Sequence, residues 1–315
     1  MTNRKPYVKL IFTAGLLTIA LLAAQISLAD DTKPTATPVP QATTTLEAMD
    51  AESYTARGVL LSILQRYDEA IEAFDKAISI NPKYEEAYKY RADIYLQKGD
   101  FGAAFNDYIL AITINPKDAE VFYKRGLLYE YIGAWDLAVE DFGQVITINP
   151  KNVDAYIYRA SAYCQLGQCA KALADYNQAI ILDPQNVNAY SGRGGILMNQ
   201  HQFAAAMADY NQAVALSPQS AVVYFNRGKL FFVLTQYDEA LKDLDQANAL
   251  SPYYADVYVY RASIFSQQGK LEDAIADLNW AIMLASLARH VGRPKACNPA
   301  DYRPFLPFSA KLKNL

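Results

Sequence analysis

From residue 51 to residue 288, apolar and polar positions recur with a helical rhythm that repeats every 34 residues. In each unit apolar side chains fall at positions 4, 8 and 11, and again at 17, 20, 24 and 27. Steps of three and four put each set on one face of an amphipathic helix, so every unit predicts two helices. Seven units fit in register without insertion, beginning at Ala51, Glu85, Ala119, Val153, Val187, Ala221 and Ala255.

The columns of this register show how the helices pair. Position 4 is always aromatic, from Tyr54 to Tyr258, and position 20 is always Ala. Position 8 is Gly or Ala throughout, position 24 is large, and position 27 is Ala except for Val145. Small residues at 8 and 20 let two backbones approach, and the bulk at 4 and 24 fills the flanking volume. Gly99, Gly133, Gly167 and Gly269 at position 15 mark the turn between the helices. Pro82, Pro116, Pro150, Pro184, Pro218 and Pro252 stand 34 apart, where proline ends one helix and suits the first turn of the next. A lone pair cannot bury its apolar stripe, but stacked pairs can.

The columns resemble the tetratricopeptide repeat family over residues 51–288, in units 51–84, 85–118, 119–152, 153–186, 187–220, 221–254 and 255–288. The departures are Tyr or Phe where the family often has Trp at position 4, and Ser286 where Pro is expected. The resemblance implies an all-α fold, a right-handed α-solenoid of helix-turn-helix repeats. It also implies an adaptor whose first helices line a concave groove for a peptide or a partner's helix. By the same carry-over, groove residues come from first-helix positions 5, 9 and 12. Those expected to bind a partner are Lys89, Asp93, Tyr123, Leu127, Glu130, Ile157, Ser161, Phe225 and Lys229. Such a surface is mixed and moderately apolar, suiting a peptide with hydrophobic anchors. The Lys/Asn/Arg carboxylate clamp of chaperone-binding members is absent, with Asp93, Asp154 and Tyr158 at clamp positions.

Two charged columns have competing explanations. Arg57, Arg91, Arg125, Arg159, Arg193, Arg227 and Arg261 occupy position 7. They form either a basic ladder for an anionic ligand or one half of structural pairs. Pairing is the favoured expectation, because Asp107, Asp141, Asp175, Asp209, Asp243 and Asp277 follow sixteen residues after the last six, and buried charges need partners. Repeat one has Ala73 instead, leaving Arg57 exposed, paired elsewhere or open to a ligand. Position 2 is acidic in five repeats (Glu52, Glu86, Glu120, Asp154, Asp256), as a rail for a basic partner or as a complement to the helix dipole.

Composition enters at the ends of the chain. Arg4, Lys5 and Lys9 precede an apolar run from Leu10 to Ala24, and Ser27 and Ala29 place small residues before a cut at Asp30. Residues 1–29 therefore read as an export signal, with an uncleaved anchor as the alternative. Residues 30–50, rich in Pro and Thr, read as a linker. Residues 289–315 carry six bases and one acid among prolines and aromatics. They form either a loose end or a segment that docks back onto the solenoid. Taking the +3 of residues 1–29 and the +5 of residues 289–315 from the chain's −4 leaves −12 for 30–288, a charge that disfavours nucleic acid.

No phosphate-cradling loop, HExxH or GxSxG motif occurs, and the carboxylates sit in repeat columns. Cys164 and Cys169 span the turn of repeat four as apolar filler or a disulfide, and His201 and His290 are not grouped with them. The expectation is a protein without catalysis, metal or cofactor. It would act outside the cytoplasm, periplasmic or extracellular, by binding a protein or peptide and touching a membrane only through residues 10–29 if they stay uncut. Self-association through the solenoid ends is the alternative, and a small-molecule or glycan binder a distant third.

Overall fold

The computed structural model describes residues 49–290. The expected export signal or anchor, nearly all of the linker, Cys297 and the segment beyond His290 lie outside the described residues. Fourteen helices and no strands make up the described residues: α1 Ala51–Ile63, α2 Tyr67–Ile80, α3 Glu85–Lys98, α4 Phe101–Ile114, α5 Ala119–Ile132, α6 Trp135–Ile148, α7 Val153–Gln165, α8 Cys169–Leu182, α9 Val187–Asn199, α10 Phe203–Leu216, α11 Ala221–Val233, α12 Tyr237–Leu250, α13 Ala255–Gln267 and α14 Leu271–His290. Two helices fall in each 34-residue unit, as the periodicity predicts.

The local chemistry of each boundary repeats with the register. Side-chain oxygens of Asp50, Asn152 and Asn186 cap the amides of Ser53, Ala155 and Ala189 at the starts of first helices. The inter-helix turn needs a left-handed residue at position 15. Gly99, Gly133, Gly167 and Gly269 supply it at φ of 72–79°, while Gln65, His201 and Thr235 adopt it at 58–60° in the other three repeats. At the end of each of the first four repeats, Asn81, Asn115, Asn149 and Asp183 accept a bond from the amide two residues on, wrapping the chain around the following proline.

The two helices of a repeat pack most extensively on each other, and the second helix packs next on the first helix of the following repeat. Adjacent first helices also touch along most of the array, whereas second helices have no comparable contact with one another. An array whose first helices are close and whose second helices are spread curves with the first helices inside.

The core consists of the predicted columns. Ala at position 20 is fully buried in repeats one to six, and Phe74, Tyr108, Phe142, Tyr176, Tyr210 and Leu244 at position 24 are at most 2% exposed. A Cβ on Gly126 would come within 2.9 Å of Phe142, and one on Gly194 equally close to Tyr210. Glycine at position 8 is thus the space into which the aromatic at position 24 fits. The tyrosines at position 4 do more than fill volume: the hydroxyls of Tyr88 and Tyr258 donate to the carbonyls of Pro82 and Pro252.

Repeat seven departs from its siblings. Every earlier second helix stops at position 30, but α14 runs six residues past the equivalent Leu284. Ala285 and Ser286 stand where the others have a polar closing residue followed by proline, so nothing stops the helix. Among the described residues no helix is long and apolar enough to cross a membrane.

Candidate functional site

The arginine column forms structural pairs. In repeats two to six each arginine donates from Nε and Nη2 to both carboxylate oxygens of the aspartate sixteen residues on, at 2.7–2.8 Å. The aspartates are nearly inaccessible, and the fork of two parallel bonds fixes the angle between the helices of a repeat. Arg57, lacking an aspartate, lies exposed.

Two further features of this pair do not follow from the Arg/Asp spacing alone. Each guanidinium from Arg91 to Arg261 lies 5.5–5.9 Å from the ring centre at position 4, and in all but repeat five from an aromatic at position 11 as well. The third nitrogen reaches back to position 25 of the preceding repeat. Arg193 donates from Nη1 to Asn177 at 2.7 Å, Arg227 to Asn211 at 3.0 Å, Arg91 to Asp75, and Arg261 pairs with Asp245. Ile109 and Gly143 hold that position in repeats two and three and offer no side-chain acceptor. The arginine therefore ties two helices of its own repeat and, in four junctions, one helix of its neighbour. A polar column at 25 was the available signal.

Burial pushes the carboxyl of Asp141 up, outweighing the opposing pull of Arg125. Desolvation of this pair thus consumes much of its attraction. Its main effect is to specify geometry, and separating the partners is costly.

The positions expected to line the groove turn out to form the seam between first helices. Side chains at 5, 9 and 12 of one repeat meet those at 2, 6 and 9 of the next. Lys89 donates to Asp118 at 2.9 Å and to Glu120 at 3.2 Å. Lys124 bridges Asp93 at 2.6 Å and Glu120 at 2.9 Å, and Tyr108 donates to Asp93 at 2.7 Å. Ser161 donates to Glu130 at 2.9 Å. Tyr123 meets Tyr158 edge-on at 5.8 Å between ring centres, and Phe225 meets Tyr260 the same way at 5.4 Å.

Lys89, Ile157 and Phe225 are consequently buried, whereas Asp93, Tyr123, Leu127, Glu130, Ser161 and Lys229 remain half-buried. The family resemblance placed all nine toward the groove. Because adjacent first helices touch, position 5 is covered by its neighbour. The stripe that stays open includes position 13, where Ile63, Tyr131 and Val233 are 71%, 48% and 45% exposed. Among the position-2 acids Glu120 pairs with Lys89 across the seam and with Lys124 on its own helix, beyond any effect of the helix dipole.

The junction of repeats two and three holds a buried carboxyl as well. Glu85 at the start of α3 is pushed up to about 7 by burial, with Asp118 adding to the rise and Lys89 opposing it. Cys164 and Cys169 are not bridged and pack into the core of repeat four. Among the described residues no group of side chains could hold a metal ion. Two shallow clefts lie among them, one by Leu173, Arg193 and Leu197 and one on the last repeat.

Models of the TPR repeat match residues 92–133, 160–201 and 194–235, and models of the tetratricopeptide repeat match 51–84, 120–152 and 225–282. Similar solved structures include a tetratricopeptide repeat protein from Parabacteroides merdae, at TM-score 0.65 and 21% identity over 74% of this chain and 93% of that one. PilF of Pseudomonas aeruginosa is similar at TM-score 0.57 and 16% identity, over 68% and 97%. The APC/C hetero-tetramer Cut9–Hcn1 is similar at 0.55 and 16%, over 68% and 43%. No curated protein matches the sequence significantly. Repeat register, helix count and family models agree, and the chain belongs to the tetratricopeptide repeat family.

Proposed function

We propose that this protein is a non-catalytic adaptor that holds a peptide or a partner's helix along the inner face of its first helices. The tetratricopeptide fold is that of a protein-interaction scaffold. The observation that carries the finer proposal is the continuity of the inner face. Adjacent first helices touch, so their open positions join into one surface, on which Tyr131 and Val233 stand exposed and Tyr123, Leu127 and Lys229 half-exposed. Spaced apolar anchors between polar neighbours suit an amphipathic partner. The acidic body argues against a phosphate backbone as ligand. The basic start and apolar run of residues 1–29 support action outside the cytoplasm, and N-terminal sequencing of the mature protein tests that part.

Capture from exported fractions, using the intact chain and a Leu127→Glu/Val233→Glu variant side by side, tests the groove. A defined partner retained by the parent and lost by the helical variant supports it. A partner held equally by both places binding elsewhere.

A further inference from the structure

The second helix of every internal repeat is roofed by the first helix of the next, and α14 has no such roof among the described residues. Leu278 at position 24 is 44% exposed, where its six counterparts are essentially inaccessible. Leu271, Ile275 and Ile282 on the same stripe are 62%, 59% and 64% exposed. These four lie at steps of three and four along α14, so they form one apolar face. Beneath it the last pair is looser than its siblings: Arg261 Nε and Asp277 Oδ2 stand 3.2 Å apart and out of hydrogen-bond alignment.

We infer that residues 291–315 of the chain lie back across this face as the missing roof. The segment follows α14 directly and carries Tyr302, Phe305, Leu306, Phe308 and Leu312. Its bases, Arg293, Lys295, Arg303, Lys311 and Lys313, outnumber its single acid, Asp301. The last repeats present exposed acids in return, at Asp245, Asp256, Glu272 and Asp273. Pro294, Pro299, Pro304 and Pro307 recur too closely for a helix of the usual first-helix length, so the aromatic side chains are the apolar matter this segment offers the face. Reach is sufficient. The twelve residues from Val291 to Tyr302 span up to about 40 Å, against about 30 Å for a twenty-residue helix. A tethered segment also meets the face at an effective concentration on the order of millimolar, which favours it over a second copy.

The test is chymotrypsin cleavage after Tyr302, Phe305 and Phe308 in the full chain, compared with an Ile275→Asp chain. Ile275 is largely exposed, so the substitution leaves the array folded, as circular dichroism checks. The expected result is slow cleavage in the parent and at least about tenfold faster cleavage in the variant, since cleavage follows the open population. Phe305→Ser/Phe308→Ser should in turn speed hydrogen exchange of α14 without changing α1–α6. Fast cleavage in both chains overturns the inference. So does slow cleavage in both, or light scattering that shows the face buried by a concentration-dependent dimer.

Discussion

Replacing Asp141 with Ala separates the central arginine pair. Asp141 is 4% exposed and Arg125 17%, and the two bonds between them are 2.7 and 2.8 Å long. The substitution leaves a guanidinium with no anionic partner, its faces against Phe122 and Tyr129 and Ile109 on the side of the preceding repeat. Removing one partner of a buried pair costs about 3–5 kcal/mol. Arg125 keeps a narrow route to solvent, which puts the expected loss near the lower end, about 3 kcal/mol. At about 2–4 °C per kcal/mol for a domain of this size, the midpoint falls by about 6–12 °C.

Trp135 sits in the same repeat, packed in the cluster that contains Phe142, so its fluorescence in a Trp280→Phe background reports this part of the array in a urea titration. The double variant Arg125→Met/Asp141→Leu removes both charges and the desolvation that opposes them. It should recover most of the loss, to within about 1 kcal/mol of the parent. Two results would refute the reasoning: a cost below about 1 kcal/mol for Asp141→Ala, or a double variant no more stable than the single one.

Two further outcomes concern other polar contacts of the array. Gly143 faces Arg159, with room for a Cβ 3.8 Å from Nη1. Asn there should accept the bond that Asn177 and Asn211 accept, so Gly143→Asn should stabilise by about 1 kcal/mol and match Gly143→Ala, although Asn is the poorer helix former. If Asn trails Ala by its propensity deficit of about 0.6 kcal/mol, the acceptor adds nothing. Glu85 sets a pH dependence. Its carboxyl is raised in the folded state, from 4.5 to about 7, so its contribution is complete below about 4.5 and is lost as pH rises through about 7. Relative to Glu85→Gln, the parent should lose up to about 3 kcal/mol between pH 4.5 and 8, read from urea midpoints; a constant gap between the two proteins counts against the buried carboxyl.

The arginine–aspartate pairs were legible because both partners recur in fixed columns sixteen residues apart within one hairpin. The groove was legible only in outline. Lys89, Ile157 and Phe225 were assigned to it by the family resemblance, but whether position 5 faces a partner or a neighbouring helix depends on how closely successive first helices approach. That distance is a sum over packing at every junction, and no single column encodes it. Gln65, His201 and Thr235 show a similar limit. Their left-handed backbone is imposed by the turn, in places where the residue type gives no hint of it.

The sequence by itself determined the number of helices, their order and their pairing, because a 34-residue apolar period admits one way of burying both stripes. It also determined which charges meet within a repeat, since a hairpin brings position 7 to position 23. Tertiary structure alone decided what happens between repeats. It turned positions 5, 9 and 12 into a seam, linked each arginine to the repeat before it where an acceptor exists, and left α14 with an apolar face uncovered by any described helix. Contacts within a hairpin follow from local periodicity, whereas contacts between hairpins depend on the angle at which one repeat stacks on the next.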